Sequence, residues 1–275
     1  VESLWVHQGQ LAHQFERVLP SGRMQLLVNL GDDELCDYTL DGRPAHRTRG
    51  AGLQGPRTAP MLIDTAHQRS ICGVSFSVGG GWPFLGVPAS EVCGRVVDLS
   101  DLWGRDGSVL RERLLEARDP TAQLDLLETA LLERATPFDR GYSDVQLACR
   151  LLEGGAHVRA VGDRLGLTPR RMINLFRTHV GVPPKLFARL ARFQALLRAR
   201  EAEARWVELA AANGFSDQSH MIREFRLFAG STPSEHRPRS REATHHVPLS
   251  ERQFSSIRGH AQWAEFGHDQ PSRAH

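Results

Sequence analysis

Lysine is nearly absent from this chain: Lys185 stands alone among 34 basic residues, and the rest are arginine. A bias of composition can produce that, so arginine abundance carries no argument for bidentate chemistry. The scarcity does bear on "GGGWPFLG" (79–86), which has the glycines of a phosphate loop but neither its lysine nor the capped helix that follows one. A turn is the expectation there. Cysteine is sparse too. Cys36, Cys72, Cys93 and Cys149 are scattered and form no CxxC pair, which excludes a disulfide-dense framework and points to a reducing cytoplasm. No apolar run reaches about 18 residues and no basic-then-apolar leader opens the sequence, so a soluble protein with no membrane partner is expected.

What is present is length and an uneven distribution of charge. The 275 residues suffice for two domains, each with its own core. The net charge of +2 conceals a split: residues 1–140 hold 14 basic and 19 acidic side chains, and residues 141–275 hold 20 and 13. The halves therefore carry −5 and +7. That asymmetry fits a neutral or acidic module joined to one that meets a polyanion, and equally a helical bundle with a solvated basic face.

Secondary-structure signals divide the chain near 137–142. "MQLLVNL" (24–30), "LCDYTLDGRP", "PMLIDTA" and "RSICGVSFSV" are short, β-rich and bounded by turn residues, which predicts an antiparallel barrel or sandwich. "DLWGRDGSVLRERLLEA" and "DPTAQLDLLETALLERA" space leucine by three and four, predicting two amphipathic helices, the second capped by Asp119 with Pro120 at its first position. Leu114, Leu115, Leu124, Leu127 and Leu131 can form a seam between subunits or pack onto their own barrel. From 142 to 238 the signals are helical. Residues 239–275 are weakly periodic and rich in His, Ser and Arg, and read as a loosely attached tail with one short strand or helix. The fold class is thus α+β in two domains, 1–138 and 142–238, followed by the tail.

In "HVRAVGDRLGLTPRRMINLFRTHVG" (157–181), Val158, Val161 and Leu165 hold one apolar face, Gly166 breaks the helix and Thr168 caps a new one that starts at Pro169. Met172, Leu175 and Phe176 then resume the apolar face. This is helix, tight turn, helix, with the second helix crossing steeply enough to stand out from the surface. About 50 residues on, "WVELAAANGFSDQSHMIREFRLF" repeats the grammar: Gly214 turns, Ser216 or Asp217 caps, and Met221, Phe225 and Phe228 face inward. Its small polar residues fall where a helix start would meet base edges. Between the units, "PPKLFARLARFQALLRARE" predicts a long spacer helix of roughly 25 Å, comparable with the roughly 34 Å between successive major grooves. Either unit alone has a plainer alternative, an ordinary αα-hairpin within a bundle. Two in tandem with a rigid spacer favour reading of DNA.

At "GFSDQSHMIREFRLFAGSTPSEHR" the chain closely resembles the second helix-turn-helix of the AraC/XylS family of bacterial transcription regulators, and the likeness extends over 143–237. The resemblance implies that Arg170, Ile173 and Asn174, and Gln218, Ser219, Ile222 and Arg223, face bases. Arg223 would pair with guanine, Gln218 with adenine, and the two isoleucines would touch thymine methyls. Thr168, Arg171, Arg177 and Arg226 would lie on phosphates. Two departures stand out: Gly162 replaces the family's common alanine and should loosen the first unit, and Ile173 cannot donate a hydrogen bond. "RVLPSGRMQLLVNLGDD" and "GVSFSVGGGWPFLGVPASEV" are similar to the sensor half of a subgroup of these regulators, which implies a cupin-like barrel for a small-molecule effector and helices that pair subunits.

Double-stranded DNA is the expected partner, with a small-molecule effector, RNA polymerase and a second subunit as further partners. No cofactor and no metal is expected. The alternative is a cupin-type metal-dependent enzyme with an appended DNA-binding domain, but the sequence shows no catalytic triad order, nucleophilic cysteine motif or compact ligand set. His13, His46 and His67 match no metal spacing, and His245 and His246 read as polar sequence. Trp82, Phe84 and Trp103 can line a pocket or fill a core.

Overall fold

The computed structural model describes residues 1–199, 208, 210, 213–240 and 243–259. Among the described residues, ten strands form two five-stranded antiparallel sheets that face each other across a cavity. The first has the order β1-β8-β3-β6-β9, built from Ser3–Gln8, Ser70–Ser75, Gln25–Asn29, Ala51–Gln54 and Val96–Asp98. The second has the order β10-β2-β7-β4-β5, built from His246–Leu249, Phe15–Val18, Met61–Asp64, Leu35–Tyr38 and Pro44–Thr48.

Alternation along the strands gives the first sheet two different faces. Leu26, Val28, Leu53, Cys72 and Val74 point outward into a core shared with three helices: α1 (Leu99–Trp103), α2 (Arg105–Glu116) and α3 (Pro120–Arg134). Leu114, Leu127 and Leu131 are buried there, so they pack onto their own sheet, whereas Leu115 is exposed. The single helix expected over "DLWGRDGSVLRERLLEA" is two, because Gly104 at φ 60° breaks it between α1 and α2. The start of α3 is as expected: the Asp119 carboxylate accepts from Ala122 N at 2.9 Å.

The carboxy-terminal helices are α4 (Arg140–Glu153), α5 (Val158–Leu165), α6 (Pro169–His179), α7 (Pro184–Ala199), α8 (Gln218–Ala229) and α9 (Glu251–Gly259). One core joins α4, α5, α6 and the start of α7 through Val145, Leu152, Val161, Met172, Phe176 and Phe187. Another joins the rest of α7 to α8 through Phe193, Leu197, Met221, Phe225 and Phe228, and it also takes in Leu19 and Val247 from the barrel.

The described part of the tail, 239–240 and 243–259, is not loosely attached. His246–Leu249 adds an edge strand to the second sheet, with His246 opposite Val18 and Leu249 opposite Phe15. The Phe254 ring on α9 stacks on Phe15 with centroids 3.4 Å apart. Periodicity could not show this, because the partner strand lies some 230 residues earlier and pairing across that separation leaves no local signal. Trp82, Phe84 and Trp103 fill cores: Trp82 packs on Tyr142 and His179, Phe84 on Phe76, and the Trp103 indole N–H donates to Phe84 O at 2.8 Å.

Candidate nucleic-acid interface

The first unit is α5, Gly166 and α6. Gly166 takes the left-handed conformation at φ 64°, and its N–H closes on the carbonyls at the end of α5. Thr168 Oγ1 accepts from Arg171 N at 3.2 Å, so the hydroxyl expected on a phosphate also caps α6. Met172, Leu175 and Phe176 are buried, which turns Arg170, Ile173, Asn174 and Arg177 outward at helical spacing, with Arg171 beside them, all exposed. Ile173 is 52% exposed, and several other large apolar side chains are exposed too, Leu227 on α8 among them.

The second unit ends in α8. Asp217 caps it by accepting from His220 N at 2.7 Å, and that backbone bond is the first cause holding the Asp217 carboxyl below its usual range. Gln218, Ser219, Arg223 and Arg226 are exposed, whereas Ile222 is half-buried and packs partly against the α7–α8 core. The packing helix expected over 206–213 lies almost wholly outside the described residues, as does the far end of the spacer helix beyond Ala199. The described part of α7 has 16 residues, about 24 Å of rise.

Sequence reading missed how α8 is held. Arg189 on α7 forks onto Glu224, with Nε to Oε2 at 2.9 Å and Nη2 to Oε1 at 2.7 Å, and its guanidinium carbon sits 5.7 Å from the centre of the Phe228 ring. The Arg189 hydrogen bonds pull the Glu224 carboxyl down. An acid on an otherwise basic helix was the available signal. Further anchors come from the barrel, where Arg17 Nη1 donates to Ala229 O at the end of α8 (3.2 Å) and Gln194 Nε2 on α7 donates to Pro20 O (2.6 Å).

Residues 161–239 match a family model described as a helix-turn-helix domain. The chain carries an AraC-type helix-turn-helix domain. Its partner in the chain, residues 1–98, matches a domain of unknown function, DUF6597. No curated protein matches. Among solved structures, ToxT from Vibrio cholerae in its 1.65 Å form is 10% identical, covering 85% of this chain and 97% of that one at a TM-score of 0.45. Unsaturated fatty acid-bound wild-type ToxT from the same organism is also 10% identical, covering 86% and 95% at 0.44. An apo form of a ToxT variant is 12% identical, covering 85% and 92% at 0.36. The AraC-type domain makes this chain a DNA-binding transcription regulator.

Beside the AraC-type domain, a cavity of about 290 Å³ opens between the two sheets. Its walls include Trp5, His7, Gln25 and Gln54 from the first sheet, Glu16 from the second, and Arg239 from the segment that follows α8. Glu16 is fully buried. It accepts from His13 Nε2 at 2.5 Å, Arg239 Nη1 at 2.9 Å and His246 Nδ1 at 2.8 Å. Burial alone would raise its pKa, but these bonds and charges outweigh burial and hold it at about 2. His13, His46 and His67 face three separate carboxylates: His13 meets Glu16, His46 meets Asp37 and His67 meets Asp32. Among the described residues, no three His, Cys, Asp or Glu side chains gather as a metal site, and no helix is long and apolar enough to cross a membrane. All four cysteines are free, and burial pushes each thiol upward, Cys72 to about 12.

Proposed function

We propose that the regulator reads successive major grooves with its two recognition helices, and that a small-molecule effector in the barrel cavity governs that reading. In this account residues 1–138 sense, residues 142–238 bind DNA, and the tail joins the two. Arg170, Ile173 and Asn174 on α6, and Gln218, Ser219, Ile222 and Arg223 on α8, meet base edges. Thr168, Arg171, Arg177 and Arg226 neutralise phosphates.

One observation carries this reading: α6 and α8 each bury one stripe completely and present the opposite stripe, arginine-rich and free of acidic residues, to solvent. The cavity supports the sensing half, since it lies in the same sheets whose strands and loops anchor α7 and α8. An effector would act by binding one arrangement of the helices more tightly than another.

Capture of genomic fragments by the full chain, followed by footprinting, tests the reading. Protection of two half-turns on one face of the duplex, with steep loss as salt rises, is the expected result. Protection without sequence preference at any salt overturns it.

A further inference from the structure

The charges that line the barrel cavity are compensated within the protein. Three ionised side chains line the cavity, and each is already compensated: Glu16 by Arg239 with His13 and His246, and Asp37 by His46 Nδ1 at 2.8 Å and Arg57 Nη1 at 2.7 Å. Two carboxylates face two guanidiniums. A charged ligand would lose its hydration shell and meet no uncompensated counter-charge.

The neutral polar groups differ: Gln25 Nε2 donates to Ser75 Oγ at 3.4 Å, whereas Gln54 and His7 keep unused capacity. Gln54 is only 7% exposed, and its side-chain amide makes no hydrogen bond within the described residues. It stands directly opposite Gln25 in the β3–β6 register, and both side chains line the cavity. His7 Nε2 is buried without a partner on the same wall. A buried imidazole nitrogen is rarely left unpaired, and the Gln54 amide beside it faces the cavity with its donor and acceptor free to take a guest. Beside it Trp5 is fixed by its N–H bond to Ser75 Oγ (3.1 Å), and the indole lies across the β8 backbone at Gly73, where a Cβ would meet Trp5 Cζ2 at 2.8 Å. Glycine at that cross-strand position lets the ring lie down as a platform. Val18, Met61 and Ile63 supply an aliphatic wall on the second sheet.

We propose that this cavity binds an uncharged flat ring carrying an N–H beside a C=O or ring nitrogen, the edge of a cyclic amide or nucleobase, with Gln54 pairing in two-point fashion and Trp5 as the platform. The inference rests on the sensing role proposed above and deepens it. A glutamine amide offers a donor and an acceptor at the spacing of such an edge, as it does to adenine in a major groove. The small volume suits one ring system.

Uracil and hypoxanthine are the probes, with orotate as the control that keeps the uracil edge and adds a carboxylate, and glucose as a neutral molecule that is not flat. Titration calorimetry on the full chain should show one site for uracil or hypoxanthine, binding of orotate and glucose weaker by about tenfold or more, and a similar loss in Gln54→Leu. Gln54→Glu, which keeps the side chain's size and polarity but not its donor, should lose binding to a similar extent and keeps the test open should Gln54→Leu fail to fold. Orotate or glucose binding as tightly as uracil overturns the inference. So do unchanged affinity in a folded Gln54→Leu, and failure of both bases to bind at millimolar concentration. Footprinting of the same sample separates the two readings: specific DNA protection without base binding sinks the ligand class alone, whereas base binding without specific protection supports the ligand class and sinks the regulatory role.

Discussion

His246 on β10 donates from Nδ1 to Glu16 Oε2 on β2 at 2.8 Å, joining residues 230 positions apart. The segment that carries His246 begins where α8 ends, and Arg239 from the same segment reaches Glu16 Oε1. The wall of the barrel cavity and the second recognition helix are therefore consecutive pieces of one strand of chain. His245, next to that strand, also bonds to Gln194 on α7.

This clasp should make the protein labile to acid. Glu16 has a folded pKa of about 2, below its ordinary 4.5, so its contribution is present above pH 4.5 and is lost as pH falls toward 2. Burial lowers His245 to about 4 from 6.5, so the unfolded chain takes up a proton first and stability falls as pH drops from 6.5 toward 4. The first loss on acidification belongs to His245. Urea midpoints measured from pH 7 to pH 4 should decline in the native chain and decline less in His245→Gln. Parallel profiles would remove His245 as the source.

Arginines in the two proposed roles should fail differently. Arg223→Ala should relax preference at one base pair of the site, at a cost of about 1–3 kcal/mol on the cognate sequence. Arg177→Ala should weaken all sequences alike and reduce the salt slope by about one. Binding isotherms on specific and random duplexes at several salt concentrations distinguish them, and equal losses for Arg223→Ala on both duplexes would refute its assignment.

Arg189 should matter to DNA binding without touching DNA. Its removal leaves the Glu224 carboxylate largely buried and unpaired and frees one side of α8. Since the Arg189 side chain is itself 38% exposed, solvent screening limits the cost of Arg189→Ala to about 1–2 kcal/mol. A double-mutant cycle with Glu224→Gln, read by urea denaturation, should return a clear coupling energy, and weaker specific binding should accompany it. A coupling near zero would show that the pair does not position the helix.

Gly166 should resist substitution on backbone grounds alone. A Cβ there would meet nothing within 4 Å, yet φ is 64°. Gly166→Ala should cost about 1 kcal/mol and Gly166→Asn less, because asparagine tolerates the left-handed region. Thermal melts of the two variants check the order.

Much of the carboxy-terminal region was legible because its signals are local. Thr168 before Pro169, Gly166 and Gly214 in the turns, and buried Met172, Phe176, Met221, Phe225 and Phe228 all act within one or two helical turns, where spacing alone decides which face is buried. The exposed stripe that follows from them is as much a property of the sequence as the buried one. Strands β3, β4, β7 and β8 were legible for the same reason, being short β-rich runs between turn residues.

The amino-acid sequence by itself determined the helix-turn-helix units, their caps and the β-rich class of the first half. Tertiary structure alone decided that glutamines on β3 and β6 share a cavity, that Arg189 holds Glu224, and that the tail closes onto β2. Those relationships depend on sheet register and on helix packing across long separations. Hydrogen bonds between distant strands, and a carboxylate that finds its partners only after the chain has collapsed, imprint no period on the residues around them.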